Sequence, residues 1–126
     1  MTEVLVVGVG GFLGAIARYG LSGLVHRWYD GPFPLGTLVV NLLGCFVIGG
    51  FMTLVEERQL FAANTRLFVT IGCLGSFTTF STLGYETLEL LRRGSVGLAA
   101  GNALGSLAVG LLAVWLGRVA VLALWP

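Results

Sequence analysis

The sequence predicts an all-α membrane protein with four transmembrane helices, and two observations carry that prediction. Apolar residues make up 56% of the 126-residue chain and charged residues only 10%, whereas a soluble domain carries about 25% charge. So few charges cannot clothe a water-facing surface, so lipid is the expected solvent. The second observation is arrangement: the apolar residues fall into four long runs, separated by the sequence's only charge clusters. Each run is long enough to cross roughly 30 Å of hydrocarbon, which takes about 20 helical residues. None of them alternates apolar with polar, so a β-barrel is disfavoured.

The runs are read in order as helices over about 4–25, 35–55, 67–91 and 96–124, within one domain covering 1–126. Met1-Thr2-Glu3 lacks the positive region of a secretory signal, and no small-residue cleavage site follows, so the first run is read as a retained helix. His26-Arg27-Trp28-Tyr29-Asp30-Gly31-Pro32 is a turn-rich, aromatic-flanked connection suited to a membrane interface. Glu56-Glu57-Arg58 to Arg66 forms the second connection, and Arg92-Arg93-Gly94 the third. The net charge of +1 gives no reason to expect nucleic acid as a partner. Cys45 and Cys73 lie deep in apolar runs with no metal-ligand spacing, and read as packing residues.

Small residues recur where helices would touch. Gly10 and Gly14 form a GxxxG pair, and Gly97, Gly101 and Gly105 a longer ladder continued by Ser106 and Gly110. Such ladders let backbones approach in lipid, where hydrophobicity drives no association. Four short helices enclose little interior, so an oligomer is expected. The cations are all arginine, and apart from Arg18 they divide evenly. Arg27, Arg92 and Arg93 fall on one side of the membrane, and Arg58, Arg66 and Arg118 on the other. The positive-inside rule then has nothing to act on. Either both orientations insert, or a partner sets the choice, or one weak bias prevails.

Polar groups inside spans cost energy and suggest function. Arg18 either snorkels to an interface or raises the local potential for an anion. Thr37 and Asn41 share one face of the second span; Asn41 either donates to an anion or ties two helices together. In the third span, Gly72 to Thr82 holds five hydroxyls and two glycines in eleven residues. Glycine and β-branched threonine weaken a helix. Unwinding there, at mid-membrane, would free carbonyl oxygens that suit a cation. Thr79, Thr82, Glu86, Glu89 and Arg93 follow helical spacing as a polar stripe, with Phe80 beside it. The positive edge of that ring suits an anion, although a lone Phe also packs cores. Asn102 and Ser106 face one way on the fourth span. Hydroxyl and amide donors with no carboxylate except Glu86 favour an anion over a cation.

Gly14-Ala15 with Arg18-Tyr19, Gly36-Thr37-Leu38-Val39-Val40-Asn41, and Gly75 through Thr82 with Glu86-Thr87 together resemble the Fluc (CrcB) fluoride channel family. The resemblance covers essentially the whole chain. It implies an antiparallel, dual-topology dimer with two pores in a cell (inner) membrane, passing fluoride passively outward. It also implies a structural Na+ held by the backbone carbonyls of Gly75 and Thr78 from both subunits. Asn41 would be the pore amide, Phe80 an edge-on fluoride contact, Ser81, Thr82 and Ser106 further pore contacts, and Arg18 a vestibule residue. Glu86 matches a family glutamate near the pore mouth. Two positions depart: Leu83 stands where the family has a second phenylalanine, and Gly110 where many members have a second pore serine. A homodimer is expected, with one half of a heterodimeric pair as the alternative. A small multidrug-type transporter would need a carboxylate in the first span, and Val4 to Val25 contains none. A non-transporting subunit rests only on the small-residue ladders. No nucleophile–base pair suggests an enzyme.

Overall fold

A chain in lipid must satisfy its backbone within each segment. The computed structural model describes residues 1–125, and every regular element among them is helical. The elements are α1 (Thr2–Trp28), α2 (Leu35–Glu56), α3 (Ala63–Leu67), a π-helix (Phe68–Leu74), α4 (Gly75–Phe77), α5 (Phe80–Arg92) and α6 (Val96–Leu124). Among the described residues four stretches are long and apolar enough to cross a membrane: Thr2–Trp28, Leu35–Glu56, Ala63–Arg92 and Val96–Leu124.

Helix α1 outruns the apolar stretch at both ends. His26 and Arg27 occupy its last turn, where the Arg27 cation suits the exposed carbonyls. The chain leaves the helix only at Tyr29, whose backbone is extended (φ −136°, ψ 112°). The third stretch also begins early, because polar Asn64, Thr65 and Arg66 are already helical in α3.

Glycines set where the helices cross. Gly10 and Gly14 of α1 press on the π-helix. A Cβ on Gly10 would lie 2.6 Å from the Phe68 carbonyl oxygen, and one on Gly14 would overlap the Cys73 carbonyl. Helix α2 packs along α6 in the same way, with Gly49 against Val114, and Gly117 against Phe46 and Gly50. The Gly97–Gly101–Gly105 ladder is different: a Cβ on any of these would meet nothing within 4 Å. That face of α6 is open within a single chain.

Polarity is inverted relative to a water-soluble fold. Among the described residues the largest fully buried side chains are Val40, Thr53 and Asn102, while leucines and aromatic rings on every long stretch are exposed. At one end, Arg118 pairs with Glu57, and Arg58 donates to the carbonyl oxygen of Trp125. The same connection places Gln59 (φ 50°) and Phe61 (φ 78°) in left-handed conformations, and Phe61 stacks on Phe51 with centroids 5.1 Å apart.

Candidate functional site

The site grows from an interruption of the third stretch. Thr78 (φ −80°, ψ 155°) and Thr79 (φ −149°, ψ 114°) are extended between α4 and α5. Two extended residues leave backbone groups without helical partners, and Asn41 of α2 serves one of them from both sides. Its Oδ1 accepts from the Thr79 N–H at 2.7 Å, and its Nδ2 donates to the Thr79 carbonyl at 3.1 Å. The Thr79 hydroxyl then caps α5, accepting from the Thr82 N–H at 3.2 Å. Threonine suits this position because its side-chain oxygen reaches a first-turn amide.

This arrangement has a consequence for two carbonyls. In an uninterrupted helix, Thr79 N–H would donate to Gly75 and Thr82 N–H to Thr78. Here those amides go to Asn41 and to the Thr79 hydroxyl. The carbonyls of Gly75 and Thr78 are therefore deprived of the amides that a helix would bring them.

Thr79, 9% exposed, stands in the wall between two cavities. One, of about 780 Å³, is lined by Arg18, Tyr19, Ser22, His26 and Arg27 of α1, by Thr37 and Val40 of α2, and by Thr79 and Thr82. Its ionisable lining is basic apart from the Tyr19 phenol, a composition that draws anions. The other, of about 650 Å³, is lined by Asn41, Cys45, Gly75, Thr78, Thr79, Phe80, Leu83, Thr87 and Ser106, among others. The expected residues thus divide. Asn41, Phe80, Ser106, Gly75 and Thr78 share one cavity, while Arg18 and Thr82 line its neighbour. Ser81 lines neither, and its hydroxyl lies 3.3 Å from that of Thr79. Phe80 is 85% exposed in the single chain.

Buried polar groups are usually hydrogen-bonded, so the exceptions are informative. Thr53, Thr70, Thr78 and Thr87 each donate to the carbonyl four residues earlier. Ser106 does not: its hydroxyl oxygen is enclosed and has no protein partner among the described residues. One turn before it, Asn102 is 0% exposed and donates from Nδ2 to the Thr87 hydroxyl at 3.0 Å, but its Oδ1 has no partner. Thr37 donates to Glu86 Oε1 at 2.7 Å, and Glu86 Oε2 is likewise enclosed without a partner. The stripe read from the third span is therefore parcelled out: Thr79 bonds Thr82, Glu86 turns to α2, and Glu89 pairs with Arg92 rather than Arg93. Thr79 itself was missed as a wall residue, because its position depends on a grip from α2. Its place in the hydroxyl-rich window was the available signal.

Residues 5–118 match the family model described as CrcB-like protein, Camphor Resistance (CrcB). The chain belongs to the CrcB family. The proteins similar to this CrcB chain include one of Opitutus terrae, 51% identical over 98% of this chain and 96% of the relative. One of Methanosarcina acetivorans is 44% identical over 97% and 92%, and one of Thermus thermophilus 49% identical over 93% and 93%. The Opitutus and Thermus relatives are named fluoride-specific ion channel FluC, and the Methanosarcina relative fluoride-specific ion channel FluC 1. With its four long apolar helices, this CrcB-family chain is a multi-pass membrane protein.

Proposed function

We propose that this chain is a fluoride-selective channel that lets fluoride leave the cell passively across the plasma membrane. The observation that carries this reading is the 44–51% identity, over nearly the whole chain, to three proteins named as fluoride-specific channels. The chemistry of the site supports it. Fluoride is small and tightly hydrated, so a pore must offer close donors in place of water. The basic cavity around Arg18 gathers the anion. The second N–H of Asn41, the free Ser106 hydroxyl and the electropositive edge of Phe80 replace water beyond it, with the Thr82 and Ser81 hydroxyls beside the break. Fluoride enters acid-exposed cells as neutral HF and ionises inside, and the membrane potential then drives the anion out through such a leak.

The working unit in this reading is an antiparallel, dual-topology homodimer, with the Thr78–Thr79 interruption at mid-membrane. A second copy would cover Phe80 and the open face of α6. The two carbonyls deprived of helical amides, Gly75 and Thr78, fit a structural Na+, a hard cation that takes oxygen ligands. One pair from each copy would hold it. Bound there, the ion supplies positive charge and ties the copies together.

The test is fluoride efflux from liposomes containing the purified protein, followed with a fluoride-selective electrode. Efflux well above protein-free vesicles and well above chloride efflux is expected. Efflux no faster than from empty vesicles overturns the reading.

A further inference from the structure

One wall position, a turn beyond Asn41, has no part in the reading above. On α2 the turn after Asn41 brings Cys45 into the lining of the 650 Å³ cavity. On α6 the turn after Ser106 brings Gly110, which is buried and whose Cβ, if built, would stand 3.6 Å from Cys45 Sγ. Helix α6 thus packs a residue without a side chain on the thiol and offers it no polar partner at this level. Independently, the Ser106 hydroxyl in the same cavity is enclosed without a partner among the described residues, as is Oδ1 of the fully buried Asn102, one turn before it on α6 and behind the cavity lining. An enclosed hydroxyl that does not bond its own helix needs an acceptor from outside the chain.

We propose that Cys45 is a wall residue of the anion path, its S–H being the donor that follows Asn41 and Ser106. The proposal rests on the reading of this cavity as a fluoride path. A thiol is a weak donor, and conduction requires sites that an ion can leave as well as enter. A thiol at this level holds fluoride less tightly than a hydroxyl and passes it on. Cys73, the other cysteine, belongs to the π-helix beneath Gly14 and lies outside this wall, which makes it the control.

The experiment uses Cys73→Ser protein in liposomes, where Cys45 is the remaining thiol, treated with methyl methanethiosulfonate. The Cys45 thiolate attacks the reagent's sulfenyl sulfur, a methylthio group is transferred as a mixed disulfide, methanesulfinate leaves, and the thiol proton goes to buffer. Fluoride efflux should fall in proportion to the labelled fraction, and saturating fluoride should slow labelling relative to the same concentration of chloride. Cys45→Ser should alter efflux by roughly two- to tenfold, the worth of one exchanged hydrogen bond, and abolish sensitivity to the reagent. Complete labelling with unchanged efflux overturns the proposal. So does a Cys45 that labels only after denaturation. Absence of fluoride efflux from untreated protein instead overturns the channel reading and takes this proposal with it.

Discussion

Phe80 and Leu83 line one cavity a turn apart, and only one of them carries a ring. An aromatic edge attracts an anion through the ring quadrupole, whereas leucine of similar bulk has no such charge separation. Phe80→Ile keeps apolar volume and removes the edge. Fluoride efflux should therefore fall by about 2- to 12-fold, the range equivalent to an aromatic contact. Leu83→Phe should maintain or raise it. Efflux from Phe80→Ile equal to the parent would assign the ion to the hydroxyls of Thr82 and Ser106 instead. Polar cavity-lining residues such as Asn41 and Ser106 were legible because polarity in an apolar run is conspicuous. The roles were less so: Asn41 had two readings, and the structure gives it one amide occupied at both ends by Thr79. That geometry ties α2 to the interruption and still leaves one N–H for a ligand.

At the scale of elements, the four apolar runs located the long helices, while their ends shifted because His26 and Arg27 at one boundary and Asn64 to Arg66 at another are helical although polar. Sequence marked Gly72 to Thr82 as weak helix. It did not mark Thr78 and Thr79 as the extended pair, since their backbone conformation depends on a side chain from another helix. The π-helix over Phe68–Leu74 left no trace either. Its neighbours Gly10 and Gly14 signalled close approach but not the winding of the partner. The link between α2 and the interruption gives a prediction. Asn41→Asp keeps the acceptor for Thr79 N–H, loses the donor to Thr79 O, and places a carboxylate beside the anion. Fluoride efflux should nearly vanish while the protein still inserts and elutes at its parental size. Parental efflux would remove Asn41 from the path.

For the whole molecule, the even division of arginines leaves little to choose between the two ways of inserting. Arg58 and Arg118 lie at the end that holds Glu57 and Trp125, with Arg66 in α3 at the start of the third stretch, and Arg27, Arg92 and Arg93 lie at or just past the C-terminal ends of α1 and α5. Reporters fused to the C-terminus, one active inside the cell and one outside, should both give signal when the chain is expressed alone. A single active reporter would mean that a bias other than arginine count sets the orientation. The exposed apolar shell and the small, partly polar interior fit a chain that takes lipid as its solvent.

The tether between Arg58 and the Trp125 carbonyl belongs to a chain that crosses an even number of times, so both its ends emerge on one side. Gene fusion exposes what that means. Two copies joined head to tail by a water-soluble linker are forced into the same orientation, and cannot form an inverted pair within one polypeptide. An inverted pair made from a single gene needs an odd number of extra crossings between the halves. A fusion whose linker is one added apolar helix should carry fluoride, and the same fusion with a flexible hydrophilic linker of any length should carry none unless two polypeptides meet. Comparing efflux from the two fusions at high dilution in lipid, where polypeptides are isolated, reads the relative orientation of the two copies directly from the parity of the crossings.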